Sequence, residues 1–398
     1  MSIKNIYIPK LRFKGFVDEY CVKKIKNITS FIKSGGTPQS NNKLYYSNSN
    51  DGINFISIPD MKNKYLLTTK KYITCSGLKN SSTFLLQKNN LLYSIYATIG
   101  EICINKIDVA LPQSILGIKT NELILNEYLY YILLHSKNKI AKLSQTGSQP
   151  NLSLKIFENI ILSYTPNKEE QFKISAFLTL LDQQILLLEN KLQLMEQIFE
   201  GVKINFFQKF SKSKKIILFK HFLVENKNKN KKNANHKVVT ISNKYGFIKQ
   251  EEYFSQKKVV ASKNKQNYYI LENKYFGFNP SRINVGSFAY WNLKEKVLIS
   301  PIYQSFQLDN NFYLDEIFFD YVKSRYFRKQ LKKYESGSVR KGIKINDLKK
   351  ISIFEIDLNS QKVYVINRKM ILVCIRLIKN KIEFLKLKKS YFLKKMFL

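Results

Sequence analysis

Arginine, histidine, cysteine and acidic side chains are all scarce in this sequence, and each scarcity removes a class of function. The three histidines (135, 221, 236) stand apart from one another and from any cluster of carboxylates or cysteines, so neither a metal centre nor a Ser/His/Asp or Cys/His catalytic arrangement finds support. Four cysteines (21, 75, 103, 374) are scattered without a Cys-x-x-Cys pair, which fits neither a disulfide framework nor a zinc site and points to ordinary thiols in a reducing cytoplasm. No apolar run approaches the ~20 residues a membrane helix needs. Met1–Pro9 has neither the apolar stretch nor the small-residue cleavage site of a secretory signal.

The shortage of acidic residues matters most. Against 29 Asp+Glu stand 67 Lys+Arg, a formal net charge of +38 over 398 residues. Only seven of those cations are Arg, and the abundance of Lys, Asn and Ile reads as AT-rich codon drift, which exchanges Arg for Lys without creating the excess. With 44% hydrophobic and 14% aromatic residues the chain is no disordered basic tail, so the charge lies on folded surfaces. Self-repulsion of that size calls for a polyanionic partner, nucleic acid first.

What the sequence does have is periodicity. Ile174, Leu178, Leu181, Ile185, Leu188, Leu192, Met195, Phe199, Val202 and Phe206 step by four and three without a break, the a/d stripe of a heptad repeat. Pro166 and the N-cap Asn167 mark the helix start, with Glu170 placed to close a capping box. Some 40 residues make a rod of roughly 60 Å. A second stripe, Ile371, Ile375, Ile378, Ile382, Leu385, Phe392 and Met396, is interrupted by Lys389 and Arg368, and its helix is predicted to begin near Asn359–Gln361. Each seam needs a partner, and the two most simply satisfy one another as an antiparallel coiled-coil pair.

The segments before the two helices echo one another, an internal duplication with a period of about 190 residues. Gln145–Phe157 and Glu335–Leu348 each run from a Gly-Ser turn into an alternating, strand-like piece and then an apolar strand. Leu91–Gly100 with Gln113–Leu116 parallels Phe278–Gly286 with Ser300–Tyr303. The predicted plan is an α+β fold with pseudo-twofold duplication: a β-rich mixed globule over 1–166, a helix over 167–210, a second globule over 211–358 and a helix over 359–398. The Lys/Asn-rich stretch Lys209–Lys237 reads as a linker or flexible entry to the second globule.

Two chemical motifs fail on inspection. Gly337-Ser-Val-Arg-Lys-Gly342 has the spacing of a phosphate-binding loop but not the Lys-Ser/Thr that follows one. Phe278-Asn-Pro-Ser281 is short of the second Pro and the aromatic of an adenine-methylating site. With no catalytic machinery or metal site visible, what remains is recognition, by polar side chains on Gly-marked turns. Most lysines of so basic a chain are solvated charges, so the candidates are few: Lys33, Thr37 and Gln39; Gln145, Ser148 and Gln149; Arg282; and Ser338, Arg340 and Lys341. Helix pairing is assigned to Ile174, Leu178, Leu181, Ile185, Leu188 and Leu192 on one helix and Ile371, Ile375, Ile378 and Ile382 on the other.

The order of these features resembles the specificity subunit of type I restriction-modification systems. The resemblance rests on Pro9–Phe16 and Phe31–Pro38, on Thr165–Gln171 with the heptad helix ending in Gly201–Phe210, and on Val239–Ser242, Tyr245–Ile248, Phe278–Arg282, Val285-Gly286 and Ser300–Tyr303. It implies two target-recognition domains, each reading one half of a bipartite, asymmetric double-stranded DNA site, with the helices as spacer and docking surface. The implied partners are two modification (methyltransferase) subunits, which carry S-adenosylmethionine and methylate adenine, and restriction subunits, which use ATP and Mg2+. The chain itself would hold no cofactor and catalyse nothing. Rival readings are a coiled-coil scaffold for proteins, a single-chain DNA methyltransferase, and a silent recombination-reservoir copy.

Overall fold

A computed structural model describes residues 8–48, 51–144, 151–213, 215–243, 245–253, 264–309, 311–334 and 342–398. The chain forms two compact units, Met1–Glu189 with Asn380–Leu398, and Asn190–Lys379. Their boundary falls inside both long helices, Lys168–Ser211 and Leu358–Met396.

Both units are built on the same sheet plan. In the first, one sheet has the strand order Thr29–Ser34, Ile115–Thr120, Leu91–Ser94, Ile102–Asn105, Tyr65–Leu66. In the second unit the corresponding order is Leu223–Glu225, Gln304–Leu308, Tyr275–Phe278, Phe288–Trp291. A companion sheet in each unit repeats a parallel pair flanked by antiparallel neighbours: Ile53–Phe55 beside Val109–Leu111, and Val238–Ser242 beside Val297–Ile299. A two-stranded ribbon closes each unit, Cys21–Lys24 with Ile161–Tyr164 and Ile216–Leu218 with Ser352–Phe354. Apolar side chains facing inward from both sheets fill the space between them, among them Leu86, Leu92, Cys103, Val109 and Ile115 in the first unit and Val239, Leu271, Trp291, Val297 and Ile299 in the second.

Within each unit the long helices run antiparallel. In the first, Asp182 meets Lys389 at 2.5 Å and Glu189 meets Lys386 at 2.7 Å. In the second, Glu196 meets Lys379 at 2.9 Å and Phe206 stacks on Tyr364. Ile174, Leu178, Leu181, Ile185, Ile375, Ile378 and Ile382 are buried, and Leu188, Leu192 and Ile371 are half-buried.

Several local expectations are corrected. The alternating pieces before the apolar strands are short helices, Leu154–Glu158 and Ile345–Leu348. The Ser153 hydroxyl accepts the Ile156 N–H and starts the first. The supposed linker contributes two strands of the second unit, because Ile216, Ile217, Leu218, Phe219, Phe222 and Leu223 are apolar and Phe219 and Phe222 enter the core. Glu170 closes no capping box: Asn167 alone caps the helix, through Glu169 and Glu170 N–H, while the Glu170 carboxylate turns inward to Arg12. The second long helix is capped by Asp357, whose Oδ1 accepts the Ser360 N–H at 2.8 Å. That contact holds the Asp357 carboxyl below its ordinary range. Its supposed interruptions are paired groups: Arg368 makes a two-pronged contact with buried Asp320 at 2.7 and 3.2 Å, and Lys389 takes Asp182.

Candidate nucleic-acid interface and helix faces

Strand register decides where the recognition turns lie. In the first unit Ser34 pairs opposite Leu116, and Ile115 opposite Ser94. The turn after Ser34, the turn after Ser94 and the segment leading into Ile115 therefore leave the sheet at one end. In the second unit Glu225 faces Phe306 and Phe278 faces Gln304, which brings out the corresponding loops at one sheet end as well.

The first turn is rigid. A Cβ on Gly35 would sit 1.8 Å from the Leu111 carbonyl oxygen, so only glycine lets the two backbones come this close, and one on Gly36 would meet the Ser82 side chain. The Thr83 hydroxyl donates to Gly36 O and the Tyr46 hydroxyl to Pro38 O, at 2.8 and 2.7 Å. With the backbone held, Lys33, Thr37 and Gln39 are exposed. The Lys33 ammonium stands over the Phe84 and Phe31 rings, with no carboxylate in contact among the described residues.

Arg282 is exposed on the second unit's turn. Asn279 accepts the Ser281 N–H through its side chain and the Arg282 N–H through its backbone, both at 3.0 Å, so the Asn-Pro-Ser segment builds a turn. The Ile343 N–H donates to Pro280 O at 3.0 Å, and a Cβ on Gly342 would lie 3.1 Å from Pro280. In the first unit the Leu152 N–H donates to Ile95 O, also at 3.0 Å. The chain leaving each Gly-Ser segment is thus fastened to the neighbouring turn at the same sheet end. Gln145, Ser148, Gln149, Ser338, Arg340 and Lys341 themselves lie outside the described residues.

A pair of glutamines at the starts of the long helices escaped the sequence reading. Gln171 Oε1 accepts the Leu125 N–H at 2.8 Å, while its Nε2 donates to the carbonyls of Leu123 and Thr165. Gln361 repeats this with Leu314, Phe312 and Ile356, at 2.9 Å each. Both side chains are buried and tie a helix start to the loop before a preceding helix. The signal was available: each glutamine stands four residues after an Asx cap, Asn167 or Asp357. Motif Pro9–Phe16 is likewise a clasp of the first unit. Arg12 holds buried Glu170 at 2.6 and 2.8 Å, the Leu11 N–H donates to Lys395 O, and Phe13 meets Phe177 edge to face.

These features coincide with known proteins. A family model described as the type I restriction modification DNA specificity domain matches residues 18–197. Residues 18–197 are thus similar to a type I restriction-modification DNA specificity domain. The type I restriction enzyme MjaIX specificity subunit of Methanocaldococcus jannaschii is 28% identical over 198 residues. The matched stretch covers 48% of this chain and 43% of that relative, less than half its length. The type I restriction-modification S subunit from M. genitalium has the same fold, with a TM-score of 0.61 at 14% identity over 98% of this chain and 99% of that one. A chain from a structure on complex assembly and conformational transition of the type I R-M system gives 0.53 at 10% identity, covering 95% and 97%. The stretch matched by the family model takes in the turn at Lys33–Gln39 and the first long helix as far as Gln197.

The long helices carry more apolar surface than their mutual seam consumes. On the second, Val363, Ile366, Met370, Val373 and Leu377 in the second unit are exposed, as are Phe384, Leu387 and Tyr391 in the first. These positions again step by three and four, a second heptad stripe on the face away from the first; Leu387 is 72% exposed. Leu180, Leu187 and Leu194 do the same at seven-residue intervals on the other helix. Each stripe leaves a continuous apolar surface that the pairing of the two helices does not cover. Among the described residues no group of His, Cys, Asp and Glu could hold a metal ion, and no helix is long and apolar enough to cross a membrane.

Proposed function

We propose that this chain is the DNA-reading specificity subunit of a type I restriction-modification assembly. The supporting observation is the gathering of Lys33 at a strand end with Thr37 and Gln39 on the turn that follows in the first unit, and of Arg282 with the chain at Gly342 on a turn in the second, at corresponding sheet ends. Each end reads one half of a bipartite, asymmetric double-stranded DNA target, and because the two sets of side chains differ, the half-sites differ. Polar and cationic groups on backbone-locked turns suit this work, since base edges are read by side chains whose positions are fixed before contact. Gln145, Ser148, Gln149, Ser338, Arg340 and Lys341 belong to the same proposed surface.

The outer stripes of the long helices take up two modification subunits, and restriction subunits join that assembly. S-adenosylmethionine, Mg2+ and ATP belong to those partners, which methylate adenine and cleave DNA in the cytoplasm, while this chain contributes position and sequence choice. The test is a map of adenine methylation in DNA from cells expressing the cognate modification subunit, with and without this gene. A split motif that appears only with the gene is expected. No new motif, although the two proteins co-purify, would overturn the assignment.

A further inference from the structure

The Asn-Lys-Asn-Lys-Asn-Lys-Lys segment from Asn226 to Lys232 has the composition of a solvated tether, yet it is pinned from within. Asn226 is buried, its Nδ2 donating to Ile270 O and Ser305 Oγ at 3.0 Å each, while its Oδ1 accepts the Asn228 N–H. Asn230 is 1% exposed, and its carboxamide both donates to Ala234 O and accepts the Ala234 N–H. Backbone hydrogen bonds complete the attachment: Asn226 N–H to Ser305 O, Ile270 N–H to Asn228 O and Asn230 N–H to Tyr268 O, each 2.9 Å. Amide side chains here fill places that apolar residues fill elsewhere, so the loop is fixed without becoming hydrophobic.

Every charge on this segment is positive. Lys227, Lys229, Lys231 and Lys232 are exposed, and none has a carboxylate within ion-pair distance among the described residues. By contrast Lys237, just beyond, reaches Glu295 at 3.6 Å. Four uncompensated ammonium groups held close together repel one another, an arrangement that is relieved when an anion of matching spacing arrives. The loop follows the strand that pairs with Gln304–Leu308, as the Gly35–Gln39 turn follows the strand that pairs with Ile115–Thr120. It therefore leaves the sheet at the same end as Arg282.

We infer that Lys227, Lys229, Lys231 and Lys232 form a clamp for the sugar-phosphate backbone of double-stranded DNA, which sets the second unit on the duplex without reading sequence. This rests on the DNA-reading function proposed above and adds the residues that supply its non-specific part. Ammonium groups are suited to the role, being strongly hydrated point charges that contact phosphates from many angles.

The test is duplex binding by the full chain across a salt series, on a cognate and a scrambled duplex, for the wild type, K227Q/K229Q/K231Q/K232Q and K274Q/K294Q. The quadruple variant should lower the slope of log affinity against log salt by up to about 3.6, at about 0.9 for each phosphate no longer neutralised. Its affinities for cognate and scrambled duplex should fall by the same factor. Lys274 and Lys294, exposed near the opposite end of that sheet, should leave the slope within about 0.5 of wild type, well under the effect of one phosphate. A slope unchanged in the quadruple variant would overturn the clamp while leaving the DNA-reading function in place. So would a slope that falls in K274Q/K294Q in proportion to the charge removed, or a weakening confined to the cognate duplex. A wild-type chain that binds neither duplex would instead sink the DNA-reading function itself.

Discussion

Replacing Gln361 by Leu tests whether the second long helix is anchored as the first is. The carboxamide is 1% exposed and meets three backbone groups, the Leu314 N–H and the carbonyls of Phe312 and Ile356, each at 2.9 Å. Leucine fills similar space and leaves all three without a partner in a place water does not reach. At about 1–3 kcal/mol for each orphaned group, less the gain from an apolar side chain, the destabilisation should be about 3–5 kcal/mol. For a unit of this size each kcal/mol moves the melting temperature by roughly 2–4 °C, so Q361L should melt about 10 °C lower. Thermal unfolding followed by near-UV circular dichroism gives the overall shift, and amide exchange at Leu314 reports the broken hydrogen bond itself. Q171L should do the same in the first unit, with exchange rising at Leu125. Q193L, on an exposed helix position, should change neither. A Q361L protein that melts within about 2 °C of wild type and retains Leu314 protection would refute the anchoring role.

Three further outcomes are expected. Arg12→Ala strands the fully buried Glu170 carboxylate and should cost about 3–5 kcal/mol, whereas R12M/E170M should recover most of it; equal destabilisation in the two variants would deny the pair its role. Lys64 is ringed by Tyr65, Tyr130 and Tyr131, and loss of water pulls its pKa from 10.5 to about 8, against the attraction of Glu127 and Asp182. Below about pH 8 both folded and unfolded chains hold the proton; between about 8 and 10.5 the unfolded chain holds more of it, so stability contributed by this site rises with pH over that window. NMR titration of the Lys64 side chain should show a midpoint near 8, and one near 10.5 would remove the effect. Gly201 lies within the first long helix with nothing within 4 Å of a built Cβ, so Gly201→Ala should stabilise by about 1 kcal/mol in denaturant unfolding, and a destabilised variant would reveal a neighbour at that face.

The two long helices were legible in the sequence because a heptad stripe and an Asx cap are local: the residues that specify them lie within one turn of those they act on. The duplication was legible for a similar reason, as the same turn, strand and helix signals recur in order. The polar contacts were not. Lys389 and Arg368 break an apolar stripe when only the stripe is considered, and they become part of it only when Asp182 and Asp320, distant in sequence, arrive beside them. Gln171 and Gln361 look like ordinary helix residues until the loops at Leu123–Leu125 and Phe312–Leu314 are folded against them.

Composition misled most where asparagine replaced apolar residues. Lys209–Lys237 reads as a tether because Lys and Asn carry no hydrophobic signal, yet Asn226 and Asn230 are core residues of a polar kind whose partners, Ser305, Ile270 and Ala234, are supplied by the fold. The short helices at Leu154–Glu158 and Ile345–Leu348 look strand-like in sequence because pieces of four or five residues do not distinguish a period of two from one of 3.6. Local pattern and composition were enough to specify the helices, the duplication, the excess of positive charge and the turns at Gly35-Gly36 and Asn279–Arg282. Which of those turns share a sheet end, and which charges go without a partner, was settled only by folding, because strand register and ion pairing join residues that no local pattern connects.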